Sequence, residues 1–568
     1  MPRRYVFWTI AAVAVLAATW QAWVLRWTCD DAFISFRYAQ NFVDGHGLVF
    51  NLDPSEPPVE GYTNFSWTMW LALGVQLGFS DRGLETWSIV SGIVCHAGVV
   101  FLLASIAWRA SGGRAVVPIA ACGYAAIHHA SSLAPAGLET ALFVLLATVL
   151  LRSSLSLRCV REAWFAGFVG VLCAMTRPDG ALFVAMTGLF VLFDTWRRRA
   201  PLLLVAYVVP FVLAFVPYLL WRHSYYGYWV PNTFYAKSGG DPDLGQGWNY
   251  IAGFGGCYYA LLPAVLMPWW FLARRPDLLA PVSAFLGRRP WLAILAFTLP
   301  YLGFVMWVGG DFMFARFLLP VLPALLLAFD MACLRWRPRW LQPVLAGLLV
   351  VGLALRVEPA GLENHLNPVS DNRVISVKEF QPGFTWADAF RACGEHLKPL
   401  FAGLDVRIGI AGSHANLAYR SRAPIAIECA GGLTDAYIAH LPIGNRGKKG
   451  HTRDYTKYPG YLERRGVQFM FEQSYGREDP WREIWFASTP APLPAQLVTW
   501  DRELMRELRR RDPGIVVQDF EQVLDDYIAA MPTKTKAQVA ADFKKFRLFY
   551  FDHEVDAERR QLFEAFLK

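Results

Sequence analysis

Nine cysteines are scattered singly through 568 residues, with no CxxC pair and no Cys/His group at zinc spacing, so neither a disulfide framework nor a structural metal site is indicated. Most are expected to be small apolar fillers. Cys393 and Cys429 stand in the polar C-terminal stretch and have the chance of a bridge only if that stretch is extracytoplasmic; the expectation is that they stay free. Internal repeats and low-complexity tracts are absent, which excludes a repeat architecture. GIAGS, at 409–413, is too weak a glycine pattern for a nucleotide loop. Charged residues make up only 18% of the chain, and although the formal net charge is +8, the basic residues of the first 356 positions fall in short loops between apolar segments. That is the pattern of the positive-inside rule and excludes nucleic acid as the partner.

What the chain has in abundance is apolar surface: 55% hydrophobic and 15% aromatic residues. A soluble fold could not hide that much, and most of it belongs in lipid. Residues 5–26 are apolar for long enough to cross a hydrocarbon core of about 30 Å. Arg3 and Arg4 ahead of this run would also suit a signal peptide, but no small-residue cleavage site follows, so it is read as an anchor. Further apolar segments at 86–108, 115–133, 139–151, 163–176, 181–196, 200–221, 256–273, 290–308, 315–334 and 340–356 bring the expected count to about eleven crossings. The stretch 66–80 is shorter and is expected along the membrane surface, because counting it as a span would send the basic loops to the wrong side. With a cytoplasmic N-terminus, Arg109 and Arg114, then Arg152, Arg158 and Arg161, then Arg197, Arg198 and Arg199, all fall inside. The chain reads as a multi-pass protein of a bacterial inner membrane, its tail outside.

The opposite loops hold the unusual polar motifs. Asp30 and Asp31 follow the first span and open DDAFISFRYAQNFVDGHGLVFN, then VEGYTNFSW; PAGLET (135–140), TRPDG (176–180), YYGYWVPNTFYAK (225–237) and GGDFMFAR (309–316) come later. An acidic residue at mid-bilayer costs roughly 3 kcal/mol, so the doublet must reach water or a protein cavity. Glu139, Arg177, Asp179, Asp311 and Arg316 sit abruptly at span ends, which suggests one shared extracytoplasmic cavity. The plain alternatives are that Asp30 and Asp31 cap the helix starting at Ala32, and that Arg177 with Asp179 and Asp311 with Arg316 are interfacial ion pairs. GHG and EGY would equally suit turns, and Trp23, Trp27, Trp269, Trp270 and Trp307 suit interface anchors. After about 357, VRIGIAGSHANLAYRSRAPIAIECAGG and ERRGVQFMFE read as an α/β unit, and the charged end from about 533 as one or two packed surface helices.

These motifs together resemble the GT-C class of integral-membrane glycosyltransferases, in the branch containing the mycobacterial terminal arabinofuranosyltransferase and LphB-like bacterial proteins. GGLTDAYIAH and Gly450-His451 in the tail are similar to that branch as well. The resemblance implies a polytopic α-helical membrane protein with an extracytoplasmic α/β domain: residues 1–356 as the catalytic domain, with outer loop 28–85 carrying the acidic pair, and 357–568 as a soluble domain for acceptor or glycan. It implies transfer of a sugar, arabinofuranose first, from a polyprenyl-phosphate donor to a glycan, with inversion. The same build would also serve an exported protein such as a pilin as acceptor, or less readily a lipid flippase.

Such chemistry needs a base for the acceptor hydroxyl and positive charge for the leaving phosphate. Asp30 is preferred as base by family analogy, with Asp31 close behind. Arg37, Arg177, Lys237 and Arg316 are the candidates for the donor phosphate. His46, Glu60, Tyr62, Asn64, Glu139, Asp179, Asn232, Tyr235 and Asp311 are candidates for sugar or acceptor contacts, His46 serving equally as an ordinary loop histidine. No obligatory cofactor is expected. Some members of the class use a divalent cation, but adjacent aspartates without further close-set ligands make a poor metal site.

Overall fold

The structure, a computed structural model, describes residues 3–238, 242–263, 265–266, 282–334, 340–357, 386–410, 414–429, 431–442, 453, 460–471, 480–486 and 493–568. Gly450-His451, all of 267–273 with Trp269 and Trp270, and part of GIAGS lie outside the described residues. The chain forms two compact units. One comprises Met1–Ser35, Thr63–Trp229 and Gly240–Gln381; the other comprises Phe36–Tyr62, Val230–Gly239 and Pro382–Lys568.

The first unit is helical. Among the described residues six helices are long and apolar enough to cross a membrane: Arg3–Val24, Arg82–Ala110, Gly180–Arg198, Leu202–Tyr226, Arg289–Val308 and Arg316–Cys333. Other segments read as crossings form shorter helices, among them Thr140–Leu155, Val160–Thr176 and Leu341–Ala354, and 115–133 breaks into Ile119–Ala126 and His128–Leu133. Phe65–Gln76 has 12 residues. At 1.5 Å each this is about 18 Å, short of the hydrocarbon thickness. Arg3–Val24 illustrates how the sequence sorts its faces. Phe7, Ala11, Ala14, Ala18 and Ala22, three or four apart, are buried, and the four small alanines admit neighbouring helices, while Val13, Leu16 and Trp20 stay exposed as lipid-facing positions would. Trp27, expected as an interface anchor, is instead fully buried, its indole N–H donating to the Ser132 carbonyl at 2.7 Å. Inside the unit, Arg289 donates to both oxygens of Asp194, at 2.7 and 2.9 Å, and to the Ser154 carbonyl at 2.7 Å. A bidentate, fully paired buried ion pair of this kind ties three helices together.

The second unit is built on a six-stranded sheet: β1 (Arg407–Ile410), β2 (Ile425–Glu428), β3 (Phe469–Phe471), β4 (Glu483–Phe486), β5 (Leu493–Leu497) and β6 (Val516–Val517), in the order β2-β1-β3-β5-β4-β6. β1 lies parallel to both β2 and β3, Ile408 pairing with Ala426 and Phe469, and the remaining pairs are antiparallel. The parallel strands are covered on both faces, which is why IAIE and QFMF read as almost unbroken apolar runs. Helix Ala415–Ser421 connects β1 to β2, and Lys536–Phe546 and Ala557–Leu567 close the chain as amphipathic helices. Cys393 and Cys429 are both buried and neither is in a disulfide.

Two segments from earlier in the chain are knitted into this unit. The Arg37 guanidinium donates to the carbonyls of Phe50, Ala418, Ala423 and Pro424 at 2.6–3.0 Å. Burial, and then the neighbouring Arg422, push its pKa down to about 9. Arg465 bridges Asp53 and Asp435, at 3.0 Å each, and Tyr461 also donates to Asp435.

His414, just after β1, gives this unit an acid sensitivity. Its ring lies 3.8 Å from that of Phe390 and interacts with the Phe471 backbone, and burial pushes its pKa from 6.5 down to about 3. The folded form therefore resists a proton that the unfolded chain accepts, so this contribution to stability is complete above about pH 6.5 and is lost as pH falls toward 3. Between pH 7 and 5 the loss from this group is on the order of 2 kcal/mol. Protection factors of the β1 and β3 amides, the exchange rates corrected for the intrinsic rate at each pH, are expected to fall over that interval in the wild type and much less in a His414→Gln variant; equal acid slopes would contradict the assignment.

Candidate active site

Four polar loops come together within the first unit: 25–31, 132–140, 177–180 and 309–317. Asp30 and Asp31 are both half-buried, bracketed by the fully buried Thr28, Cys29, Ala32 and Phe33. Their carbonyls accept from Phe33 and Ile34, so the doublet starts the helix Ala32–Val43 through its backbone. The Cys29 amide donates to the Ala136 carbonyl at 2.9 Å, docking this loop on the PAGLET turn. Burial pushes the Cys29 thiol up, Asp31 and Asp30 add to that, and the Arg316 charge opposes it. Cys29 thus lies within electrostatic reach of both aspartates and Arg316.

Asn64 links the acidic loop to Glu139. Its Oδ1 accepts from Ser35 at 3.2 Å and Thr68 at 3.1 Å, and its Nδ2 donates to Glu139 Oε2 at 3.0 Å. Glu139 in turn receives Arg177 at 3.4 Å. Arg177 grips Asp179 through Nε and Nη2, both at 3.0 Å, and Tyr301 donates to Asp179 at 2.7 Å. Burial opposes the charge on Arg177, but Asp179, Tyr301 and Glu139 outweigh it and hold the pKa above its ordinary value. The guanidinium lies between the rings of Phe143 and Phe317, at 5.1 and 4.6 Å. Arg316 faces the same Phe317 ring at 5.7 Å and is paired with Asp311. One aromatic ring therefore carries both guanidinium groups, each already held by a carboxylate.

The loop that presents Asp311 and Arg316 is strained. Gly309, Gly310 and Ala315 all have positive φ, the last at 68°, where a β-carbon is disfavoured. Tyr250 supports the loop, its hydroxyl donating to the Met313 carbonyl at 2.9 Å and accepting from the Phe317 amide at 3.2 Å. Both ion pairs anticipated as a plain alternative do form, and both are buried rather than interfacial.

The remaining candidates belong to the second unit. Arg37 is tied to backbone carbonyls there, as described above. Tyr62 packs edge-on against Tyr38 at 4.7 Å, and the Tyr38 hydroxyl bonds the Val59 carbonyl and the Gly61 amide. The buried Glu60 offers its carbonyl to the Asn232 amide at 3.1 Å. The Asn232 side chain donates to the carbonyls of Gly432 and Leu433, so VEGY, PNTFYAK and GGLTDAY meet in one place. Tyr235 rests on the His440 ring at 4.4 Å. Lys237 is half-buried and His46 exposed.

Tyr301, Tyr250, Phe143 and Phe317 escaped the sequence reading. Tyr301, Phe143 and Phe317 stand in apolar runs where an aromatic residue carries no signal, and Tyr250 stands in a mixed stretch ahead of one. Among the described residues no group of three or more His, Cys, Asp or Glu side chains is arranged to hold a metal ion.

The fold is that of the GT-C membrane glycosyltransferases: the chain is similar to ArnT from Cupriavidus metallidurans in the apo state, with a TM-score of 0.51 over 86% of this chain and 97% of that one, at 14% identity. No family model matches the chain. It is homologous to two proteins named terminal beta-(1->2)-arabinofuranosyltransferase. The one from Mycobacterium tuberculosis is 32% identical over 388 residues, covering 61% of this chain, and the one from Corynebacterium glutamicum is 27% identical over 425 residues, covering 69%. The chain spans 60% of the length of each of these relatives.

Proposed function

We propose that this protein is a membrane glycosyltransferase that transfers arabinofuranose from a polyprenyl-phosphate donor to a glycan at the extracytoplasmic face of a bacterial inner membrane. The observation that carries this reading is the cluster of Arg177 and Arg316 on the Phe317 ring, with Arg316 and both aspartates of the doublet each acting on Cys29, in a chain homologous to arabinofuranosyltransferases. The N-terminus is read as cytoplasmic, the membrane part as about eleven crossings, and the domain 357–568 as the extracytoplasmic acceptor-binding part, on the alternation of basic loops.

In the reaction the acceptor hydroxyl oxygen bonds to the anomeric carbon as the bond from that carbon to the donor phosphate oxygen breaks. Asp30 takes the hydroxyl proton, and attack opposite the leaving phosphate inverts the configuration. Asp31 beside it orients the acceptor. Arg177 and Arg316 receive the charge that develops on the phosphate, in a buried setting where a fixed cation counts for more than it does in water. Asp179 and Asp311 hold the two guanidinium groups ready, and Asn64 with Glu139 provides hydrogen bonds for sugar hydroxyls. These carboxylates are already engaged by Arg, Tyr and Asn donors, a poor fit to a resident cation, and no step is assigned to one. Arg37 is read as an anchor of the second unit.

A panel of polyprenyl-phosphate sugars, supplied to spheroplasts and to detergent-solubilised protein, tests the proposal, with mass spectrometry of the acceptor. Arabinofuranose is expected on a glycan in both preparations. Sugar on a polypeptide would replace the acceptor class, activity in detergent alone would put the site on the inner face, and consumption of no donor would end the reading.

A further inference from the structure

The acidic doublet does not fix its own place. The loop that carries it is laid onto the turn at 132–137 by hydrogen bonds to consecutive parts of that turn's backbone: Trp27 Nε1 to Ser132 O at 2.7 Å and the Cys29 amide to Ala136 O at 2.9 Å. Trp67, from the short helix Phe65–Gln76, adds Nε1 to Gly137 O at 3.0 Å. On its far side the turn presses against helix Arg82–Ala110 so closely that a β-carbon at Gly92 would stand 2.0 Å from the Ala134 carbonyl oxygen. The turn therefore has no room to retreat. Gly137 has φ +80°, and a β-carbon there would meet Ala32 Cβ at 3.0 Å and Thr28 Cγ2 at 3.2 Å, the residues on either side of the doublet, with Ser88 Oγ of helix Arg82–Ala110 in ordinary contact at 3.5 Å. Two positions after Gly137 comes Glu139, which joins Asn64 and Arg177.

We infer that the turn 132–137 is a rigid backbone template that sets the spacing between the Asp30–Asp31 doublet and the Glu139–Arg177 group, with Gly137 and Trp67 as positioning residues. The inference rests on the transferase reading above. One short wedge of main chain, clamped between a membrane helix and the acidic loop, holds the acid on one side and leads into the arginine cluster on the other. Neither residue touches substrate; both act through where they put Asp30 and Asp31. Reacting groups displaced by about 1 Å lose on the order of 100-fold in rate, so small shifts of this wedge are sufficient.

The test compares wild type, Gly137→Ala, Trp67→Phe and Gly98→Ala, the last a control whose added β-carbon meets only the flexible Leu145 side chain at 3.3 Å. Turnover is expressed per active site, counted by binding of a non-transferable donor analogue, and thiol labelling of Cys29 is followed by peptide mass spectrometry. Gly137→Ala is expected to lower kcat about 100-fold with the donor KM little changed, and to speed Cys29 labelling. Trp67→Phe, which keeps an aromatic ring but loses the N–H and part of the indole's bulk, is expected to lose about tenfold in kcat, and Gly98→Ala to match wild type. Wild-type kcat per site and wild-type Cys29 labelling in Gly137→Ala would overturn the inference, as would a loss confined to the number of active sites. If the wild type transfers no sugar, the transferase reading fails, and the Cys29 labelling still decides whether the wedge positions the loop.

Discussion

Replacing Asp30 by asparagine is expected to lower turnover by about 1,000-fold, the scale of a positioned general base, while the protein still inserts and folds. Asparagine has the same shape, and both aspartates are half-buried, so the change removes a charge without opening a cavity. The doublet's backbone carbonyls, which start the next helix, are untouched. Asp31→Asn is expected to cost less, about 10- to 100-fold, because its neighbour retains the proton-accepting role. If the two aspartates served only as helix caps, both variants would keep thermal stability and activity alike, because asparagine caps a helix as well as aspartate does. Full turnover in both single variants would remove the doublet from the chemistry.

Arg177→Gln is expected to have the second largest effect, on stability and turnover together. It leaves the buried Asp179 and Glu139 without their cation, and breaking such a pair from one side costs about 3–5 kcal/mol. Loss of the cation facing the leaving phosphate is expected to lower turnover by a further 100-fold or more, on the order of one lost oxyanion donor. The two contributions separate in the double variant Arg177→Gln with Asp179→Asn. Removing both charges is expected to restore most of the melting temperature and none of the turnover. Recovery of both would make Arg177 a structural ion-pair partner and nothing more. Arg177→Lys keeps the charge but not the two-pronged grip on Asp179 or the planar fit between Phe143 and Phe317, and is expected to fall between.

The apolar runs and the acidic doublet made the helical membrane part legible, because hydropathy and the cost of a buried charge act locally along the chain. PAGLET, TRPDG and GGDFMFAR stood out for the same reason: charges placed abruptly at span ends. The strand–helix–strand pattern of β1 to β2 was legible from unbroken apolar runs around a small-residue turn. The separation into two units was not. Phe36–Tyr62 and Val230–Gly239 join the C-terminal unit through Arg37 and Asn232, whose partners lie 200 and more positions away, and nothing local records such a contact. Tyr301 was hidden for a different reason. Within an apolar span a tyrosine counts as hydrophobic, and only the packing of helix Arg289–Val308 against the TRPDG loop brings its hydroxyl to Asp179. Trp27 was read as a lipid anchor because tryptophan beside a span usually is one, and its burial follows from the hydrogen bond to Ser132.

The most direct measurement is a structure of the full chain in a lipid nanodisc with a non-transferable polyprenyl-phosphate sugar bound. The account predicts the phosphate within hydrogen-bonding distance of Arg177 or Arg316, with the anomeric carbon turned toward Asp30 and Asp31. A donor phosphate bound away from both arginines, or a sugar ring facing away from the doublet, would contradict it.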